Sequence, residues 1–158
     1  MIRTPVQALV WRALPFWAQR VILWLSNTHF LVGTAALVRD RNDRILLAKH
    51  TYRGRAPWGL VGGWVHRGED PTETVVREVR EETALDVEVT HLLTVRSETP
   101  THLTLVYEAR LIGGTFRPSA EVSEVLFTER GVWPEGLRKD HRALIERFGW
   151  GPAPSALS

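Results

Sequence analysis

Between Glu69 and Glu82 the chain gathers six acids, Glu69, Asp70, Glu73, Glu78, Glu81 and Glu82, against two bases, Arg77 and Arg80. A stretch this charged can join a packed domain as a helix with one wet face, and the residues at its start are those of a helix N-terminus. Asp70 is a candidate N-cap, Pro71 suits the first helical position, and Glu73 completes a D-x-x-E capping box. The helix is expected to run to about Thr83. With Glu78 at the origin of a helical wheel, Glu81 falls at about 300° and Glu82 at about 40°, so three carboxylates share roughly a third of the circumference. Val76, Val79 and Thr83 occupy a neighbouring face that can pack on a sheet. Clustered like charges cost free energy and raise carboxyl pKa values. A divalent cation would offset that cost, and oxygen-only ligands favour Mg²⁺ or Mn²⁺ over zinc. The alternative is a solvated acidic face on a surface helix, and spacing alone leaves both open.

Composition narrows the surroundings. With 158 residues, the chain is long enough for one domain and a short extension. Its 44% apolar and 24% charged residues are globular values. The absence of cysteine excludes disulfides, thiolate zinc sites, iron–sulfur clusters and a cysteine nucleophile. It also permits a cytoplasmic location, which is the expectation here. No apolar run approaches the ~20 residues needed to cross a bilayer. The net charge is +2, but Glu69–Glu82 alone carries −4 and the remainder +6. Such a division suits cations in the acidic patch and an anionic substrate among the surrounding bases.

Three organisational segments are expected. Residues 1–29 form an N-terminal amphipathic helical extension, 30–150 the main domain, and 151–158 a frayed tail. The extension holds Trp11, Trp17 and Trp24, three arginines (Arg3, Arg12, Arg20) and no acid. Val6, Val10, Leu14, Trp17, Val21 and Trp24 follow a helical spacing interrupted by Pro15, so a second helix should run from Pro15 to about Ser26. Arg12 and Arg20 punctuate the apolar stretch and no small-residue cleavage site follows, which fits a secretory signal poorly. Something should cover this stripe: the chain's own domain or a homodimer partner is expected, with a membrane surface as the third cover. From Phe30 the pattern turns to β, with strands over Phe30–Arg39, Arg44–His50, Trp58–Val61, Leu85–Arg96, Leu103–Leu111 and Val122–Thr128. A Gly113-Gly114 turn and a last helix over Arg138–Phe148 complete the reading, which is an α/β or α+β sandwich.

The residues flanking the carboxylates go further. Gly63, Glu69, Arg77, Glu78, Val79, Glu81, Glu82, Ala84 and Leu85 stand as G-x5-E-x7-R-E-V-x-E-E-x-A-L. This closely resembles the signature of the Nudix hydrolases, G-x5-E-x7-R-E-U-x-E-E-x-G-U with U a bulky apolar residue. The fixed positions match except the last glycine, here Ala84. Trp58-Gly59-Leu60-Val61-Gly62-Gly63 resembles the family's approach strand, with Val61 where proline is common. The resemblance implies a Nudix-type α/β/α sandwich with a mixed β-sheet. It also implies Mg²⁺-dependent (or Mn²⁺-dependent) cleavage of a phosphoanhydride in a nucleoside diphosphate linked to another moiety, such as a nucleotide sugar, ADP-ribose or a (d)NTP. It makes Glu78, Glu81 and Glu82 metal ligands, with Glu82 also a base. Glu69 supports the metal site, the Gly63 backbone lies near it, and Arg77 orients the carboxylates.

Outside the signature, Glu121 is the first choice for a further ligand or base, over Glu124 in the same E-V-S-E segment and over Glu98 in a loop before Thr101. Arg53 and Arg55 are candidate phosphate contacts on a basic loop over Thr51–Pro57. With His50 they otherwise read as solvated loop charges. Trp64 and Trp58 could stack on a base, Trp58 reading rather as core. No histidine pair has metal-ligand spacing. Ala84 should cost on the order of 1–2 kcal/mol if the helix end keeps a left-handed residue there. A binding module of the same fold that holds a nucleotide without cutting it is the alternative function, and the complete acid set argues against it. The pI of about 9.5 raises nucleic-acid binding, yet the bases are scattered and no RNA-binding signature is present, so nucleic acid is expected only as a capped-RNA substrate.

Overall fold

The structure, a computed structural model, describes residues 9, 11–27 and 29–150. The chain divides into two compact units, Met1–Phe30 and Leu31–Ser158. In the first, helix α1 spans Phe16–Ser26 and starts after Pro15, whose extended backbone (φ −62°, ψ 149°) occupies the N-cap position. Proline has no N–H to leave unsatisfied there. Gln19 Nε2 donates to the carbonyls of Trp11 and Leu14, both at 3.0 Å, closing the break at Pro15. No residue of α1 is buried. Phe16, Trp17, Val21, Ile22, Leu23, Trp24 and Leu25 are all exposed. Arg3, Val6, Val10 and the tail 151–158 lie outside the described residues.

The second unit contains strands β1 (Leu31–Arg39), β2 (Ile45–His50) and β3 (Trp58–Gly59), helix α2 (Pro71–Thr83), strands β4 (Leu85–Thr99), β5 (His102–Gly114) and β6 (Val122–Thr128), and helix α3 (Lys139–Phe148). The sheet runs β3-β2-β1-β5-β4, with β6 also paired to β2. β1 and β5 are parallel and the other named pairs antiparallel, so the sheet is mixed. Strand alternation splits the core in two. Ala36, Val38, Leu46 and Ala48 pack with Val75 and Val79 of α2. Their neighbours Ala35, Leu37, Ile45 and Leu47 pack with Leu144 and Ile145 of α3. Both faces of β1 and β2 are thus covered, which makes an α/β/α sandwich and explains their near-continuous apolar runs.

Two strands outrun their expected ends. β4 continues to Thr99, placing Glu98 within a strand and not in a loop. β5 continues to Gly114, so Gly113-Gly114 is not a turn but a strand end opposite Asp86 and Leu85. Gly114 has φ 87°, and a Cβ on it would lie 2.5 Å from the Ala84 carbonyl oxygen. That close approach locks the strand end to the end of α2. Ala84 itself takes φ 59° and ψ 19°, the left-handed region, with its N–H donated to Arg80 O at 2.9 Å.

Candidate active site

The capping box at the start of α2 is formed: Asp70 accepts from Thr72 N at 2.8 Å, and Asp70 N donates to Glu73 at 3.5 Å. Residues 61–65 run beside β1, with Ala36 N donating to Val61 O (2.8 Å), Thr34 N to Gly63 O (2.8 Å) and Val65 N to Val32 O (2.9 Å). This brings Gly63 against α2, where a side chain on it would overlap the Glu78 carboxylate. A larger residue here would oblige the Glu78 carboxylate to move.

Arg77 organises the acids. Its Nε and Nη2 donate to the two oxygens of Glu69 at 2.7 and 3.1 Å. Its Nη1 donates to Glu78 Oε1 at 2.8 Å and Glu81 Oε2 at 3.2 Å, and Nη2 also reaches Trp64 O at 3.2 Å. The Arg77 hydrogen bonds, followed by the His66 N–H at 2.9 Å, hold the Glu69 carboxyl down at about 2. The Arg77 guanidinium is correspondingly raised, chiefly by Glu69.

Glu82 is placed differently from its helix neighbours. It is buried, and its Oε2 has no hydrogen-bond partner among the described residues. Burial, then the charges of Glu78 and Glu121, push its carboxyl up to about 8. His50 Nδ1 lies 4.0 Å from that oxygen and is equally without a hydrogen-bond partner, while Nε2 is 3.3 Å from Leu60 O. The expectation of a solvated His50 is overturned. It ends β2 on a buried strand, and burial followed by the Arg53 charge lowers it to about 4, so the ring is neutral.

Glu121 is exposed just before β6, and its charge reaches Glu82. Glu124 is tied instead to Lys49 across β2 and β6, at 2.7 Å. A cleft of about 750 Å³ opens beside Gly62-Gly63, lined among others by Tyr52, Arg53, Arg55, Trp64, His102 and Arg138. Arg53 Nη2 donates to the Tyr52 hydroxyl at 3.3 Å, and its buried Nη1 has no hydrogen-bond partner among the described residues. The Trp64 and His102 rings are 4.6 Å apart. Trp58 packs against the α3-side core. His141, which sequence reasoning missed, also lines the cleft. It accepts from Leu60 N at 2.8 Å, and burial holds it neutral with a pKa lowered to about 3.

Among the described residues, no three histidine, aspartate or glutamate side chains form a ready-made cation cage. Arg77 lies among Glu69, Glu78 and Glu81 instead. The donor set nevertheless fits a hard divalent cation. It is all oxygen, Gly63 leaves space at Glu78, and Glu82 presents a buried carboxylate oxygen without a partner whose ionisation needs positive charge nearby.

A family model described as the NUDIX domain matches residues 29–148. An ADP-ribose pyrophosphatase of Methanocaldococcus jannaschii is 28% identical over 125 residues, covering 76% of this chain and 73% of that protein. Among solved structures, a MutT NUDIX hydrolase from Burkholderia pseudomallei superposes with TM-score 0.64 at 28% identity, covering 73% of this chain and 95% of that one. An ADP-ribose pyrophosphatase from Streptococcus suis gives TM-score 0.62 at 26% identity over 77% of this chain and 92% of that one. Some curated relatives are longer: the matched part is 27% of Nudix hydrolase 2 of Arabidopsis thaliana.

Proposed function

From the premise that this chain belongs to the NUDIX family of hydrolases, we propose that it is a Mg²⁺- or Mn²⁺-dependent pyrophosphohydrolase of a nucleoside diphosphate linked to another group, with ADP-ribose the first substrate to test. The observation that carries this reading is Glu82, a buried carboxylate with an unpartnered oxygen and a raised pKa, beside acids collected by Arg77. The names of the Methanocaldococcus jannaschii and Streptococcus suis relatives support the ADP-ribose class.

Glu78, Glu81 and Glu82 would supply the oxygens that hold the cation, with Glu69 in support through Arg77. The cation, when bound, would neutralise the phosphate oxygens and acidify the attacking water. Water oxygen attacks phosphorus, the anhydride P–O bond breaks, and the leaving phosphate departs with the electron pair. Glu82 or Glu121 accepts the water's proton, and a carboxyl pKa raised toward neutrality suits Glu82 to the task. Arg53 and Arg55 take the diphosphate charge in the cleft. Trp64 is exposed in the same cleft and offers a stacking surface for a base.

The test is a panel of ADP-ribose, nucleotide sugars, dinucleoside polyphosphates, (d)NTPs and capped RNA, with product detection, with and without Mg²⁺ or Mn²⁺. Turnover of a diphosphate-linked nucleoside only with metal is expected. Saturable binding with no product at any metal concentration would replace the hydrolase by a nucleotide-binding module.

A further inference from the structure

We infer that α1 is an interfacial anchor that lies in the headgroup region of an anionic lipid bilayer. The helix is apolar over most of its girth. On a wheel with about 100° per residue, Phe16, Trp17, Leu25 and Ile22 fall at about 0°, 100°, 180° and 240°. All four are exposed, at 72%, 70%, 71% and 41%. A helix–helix seam uses a stripe of ~100°, and would leave much of this surface in water. The headgroup boundary of a bilayer covers the whole apolar arc and leaves the polar edge to water. Gln19, Arg20 and Ser26 form the one polar edge, interrupted by Phe16 and Leu23, and suit the side that faces headgroups and water.

The helix cannot cross a bilayer. Its 11 residues reach roughly 16 Å, against about 30 Å of hydrocarbon. Among the described residues, no helix is long and apolar enough to span. It can lie in the interface, where tryptophan and arginine are favoured. The Gln19 amide satisfies the Trp11 and Leu14 carbonyls freed at Pro15, and Asn27 Nδ2 caps Leu23 O at 2.6 Å. Charge selects the surface: Arg3, Arg12 and Arg20 stand with no acid before His29, complementary to anionic lipid. The Arg20 guanidinium lies over the Phe16 ring, 5.8 Å from its centroid, so the positive charge sits beside an apolar side chain at the edge of the helix.

Flotation of the full chain with phosphatidylcholine vesicles, with and without phosphatidylglycerol, tests this. Binding to the phosphatidylglycerol vesicles that weakens with salt is expected. Trp17→Ser with Trp24→Ser should reduce it at least ~10-fold. Arg12→Gln with Arg20→Gln should reduce it by about fivefold per arginine, on the anionic vesicles only. An unchanged melting temperature shows that each variant is folded. Absence of flotation with either vesicle would overturn the inference. So would a solution dimer, by light scattering, that the tryptophan pair variant dissociates, because the cover would then be a second copy. No nucleotide enters the assay, so its failure leaves the hydrolase reading intact, and the reverse.

Discussion

Replacing Glu82 by Gln should stabilise the metal-free protein, and increasingly so as pH rises. The Glu82 carboxyl titrates at about 8 in the fold against 4.5 for an ordinary glutamate. Below pH 4.5 it is protonated in both folded and unfolded chains and contributes nothing. Between pH 4.5 and about 8 the unfolded chain releases this proton and the folded chain keeps it. Stability therefore falls as pH rises through that window, by about 1.4 kcal/mol per pH unit. By pH 8 the accumulated loss is on the order of 4 kcal/mol. Gln carries no charge at any pH and fills the same volume, so it escapes the loss. At 2–4 °C per kcal/mol for a chain of this size, the variant should melt about 10 °C above wild type near pH 8.5 and within ~2 °C of it at pH 5. His50 and His141 titrate the opposite way: their folded values, about 4 and about 3, lie below the unfolded 6.5, so stability is lost as pH falls below 6.5. That loss is common to both proteins and cancels in the difference. The assay is thermal unfolding by circular dichroism in EDTA at pH 5, 7 and 8.5. Saturating Mg²⁺ or Mn²⁺ should then raise the wild-type melting temperature more than that of the variant, because ligand at 100 times Kd adds about 2.7 kcal/mol to the state that binds it. Parallel melting curves across the three pH values would refute the raised pKa, and with it the special position of Glu82.

Further expectations concern turnover and the helix end. Glu81→Gln should lower kcat at least ~10²-fold with the fold intact, the scale of a lost catalytic charge, and near wild-type turnover would remove Glu81 from the mechanism. Glu121→Gln should lower kcat more than Glu124→Gln, because Glu124 is occupied by Lys49 while the Glu121 charge acts on Glu82; equal effects would exclude Glu121. Ala84→Gly should raise the melting temperature by about 2–4 °C, as glycine adopts the left-handed conformation without the ~1 kcal/mol cost borne by alanine. A clear fall in melting temperature would show that the helix end does not hold that conformation.

Much of the fold was legible because its signals are local. The capping residues of α2, the apolar runs of β1 and β2 and the signature from Gly63 to Leu85 each depend on neighbours a few positions away. The misreadings are non-local. His50 follows an apolar run and precedes a basic loop, so its burial depends on where Glu82 and Leu60 arrive from elsewhere in the chain. The added length of β4 and β5 comes from pairing with each other, which propensity at Glu98 or Gly113 does not report.

The three carboxylates of the signature show most clearly what a helical wheel leaves out. By angle alone Glu78, Glu81 and Glu82 are equivalent members of one acidic face. In the fold they are not, because Val75, Val79 and Glu82 lie three or four residues apart on the buried stripe of α2, a spacing that was visible beforehand. Arg77 reaches Glu69, Glu78 and Glu81, and those charges are compensated within the protein. Its hydrogen bonds do not include Glu82. Like-charge repulsion and desolvation therefore accumulate on one group, and the need for external positive charge is concentrated there. A cation held there would couple its binding to loss of a proton from Glu82, while the Arg77 hydrogen bonds hold Glu69, Glu78 and Glu81. Gly63 bears on the same division: a side chain there would oblige the Glu78 carboxylate, whose charge already raises Glu82, to move.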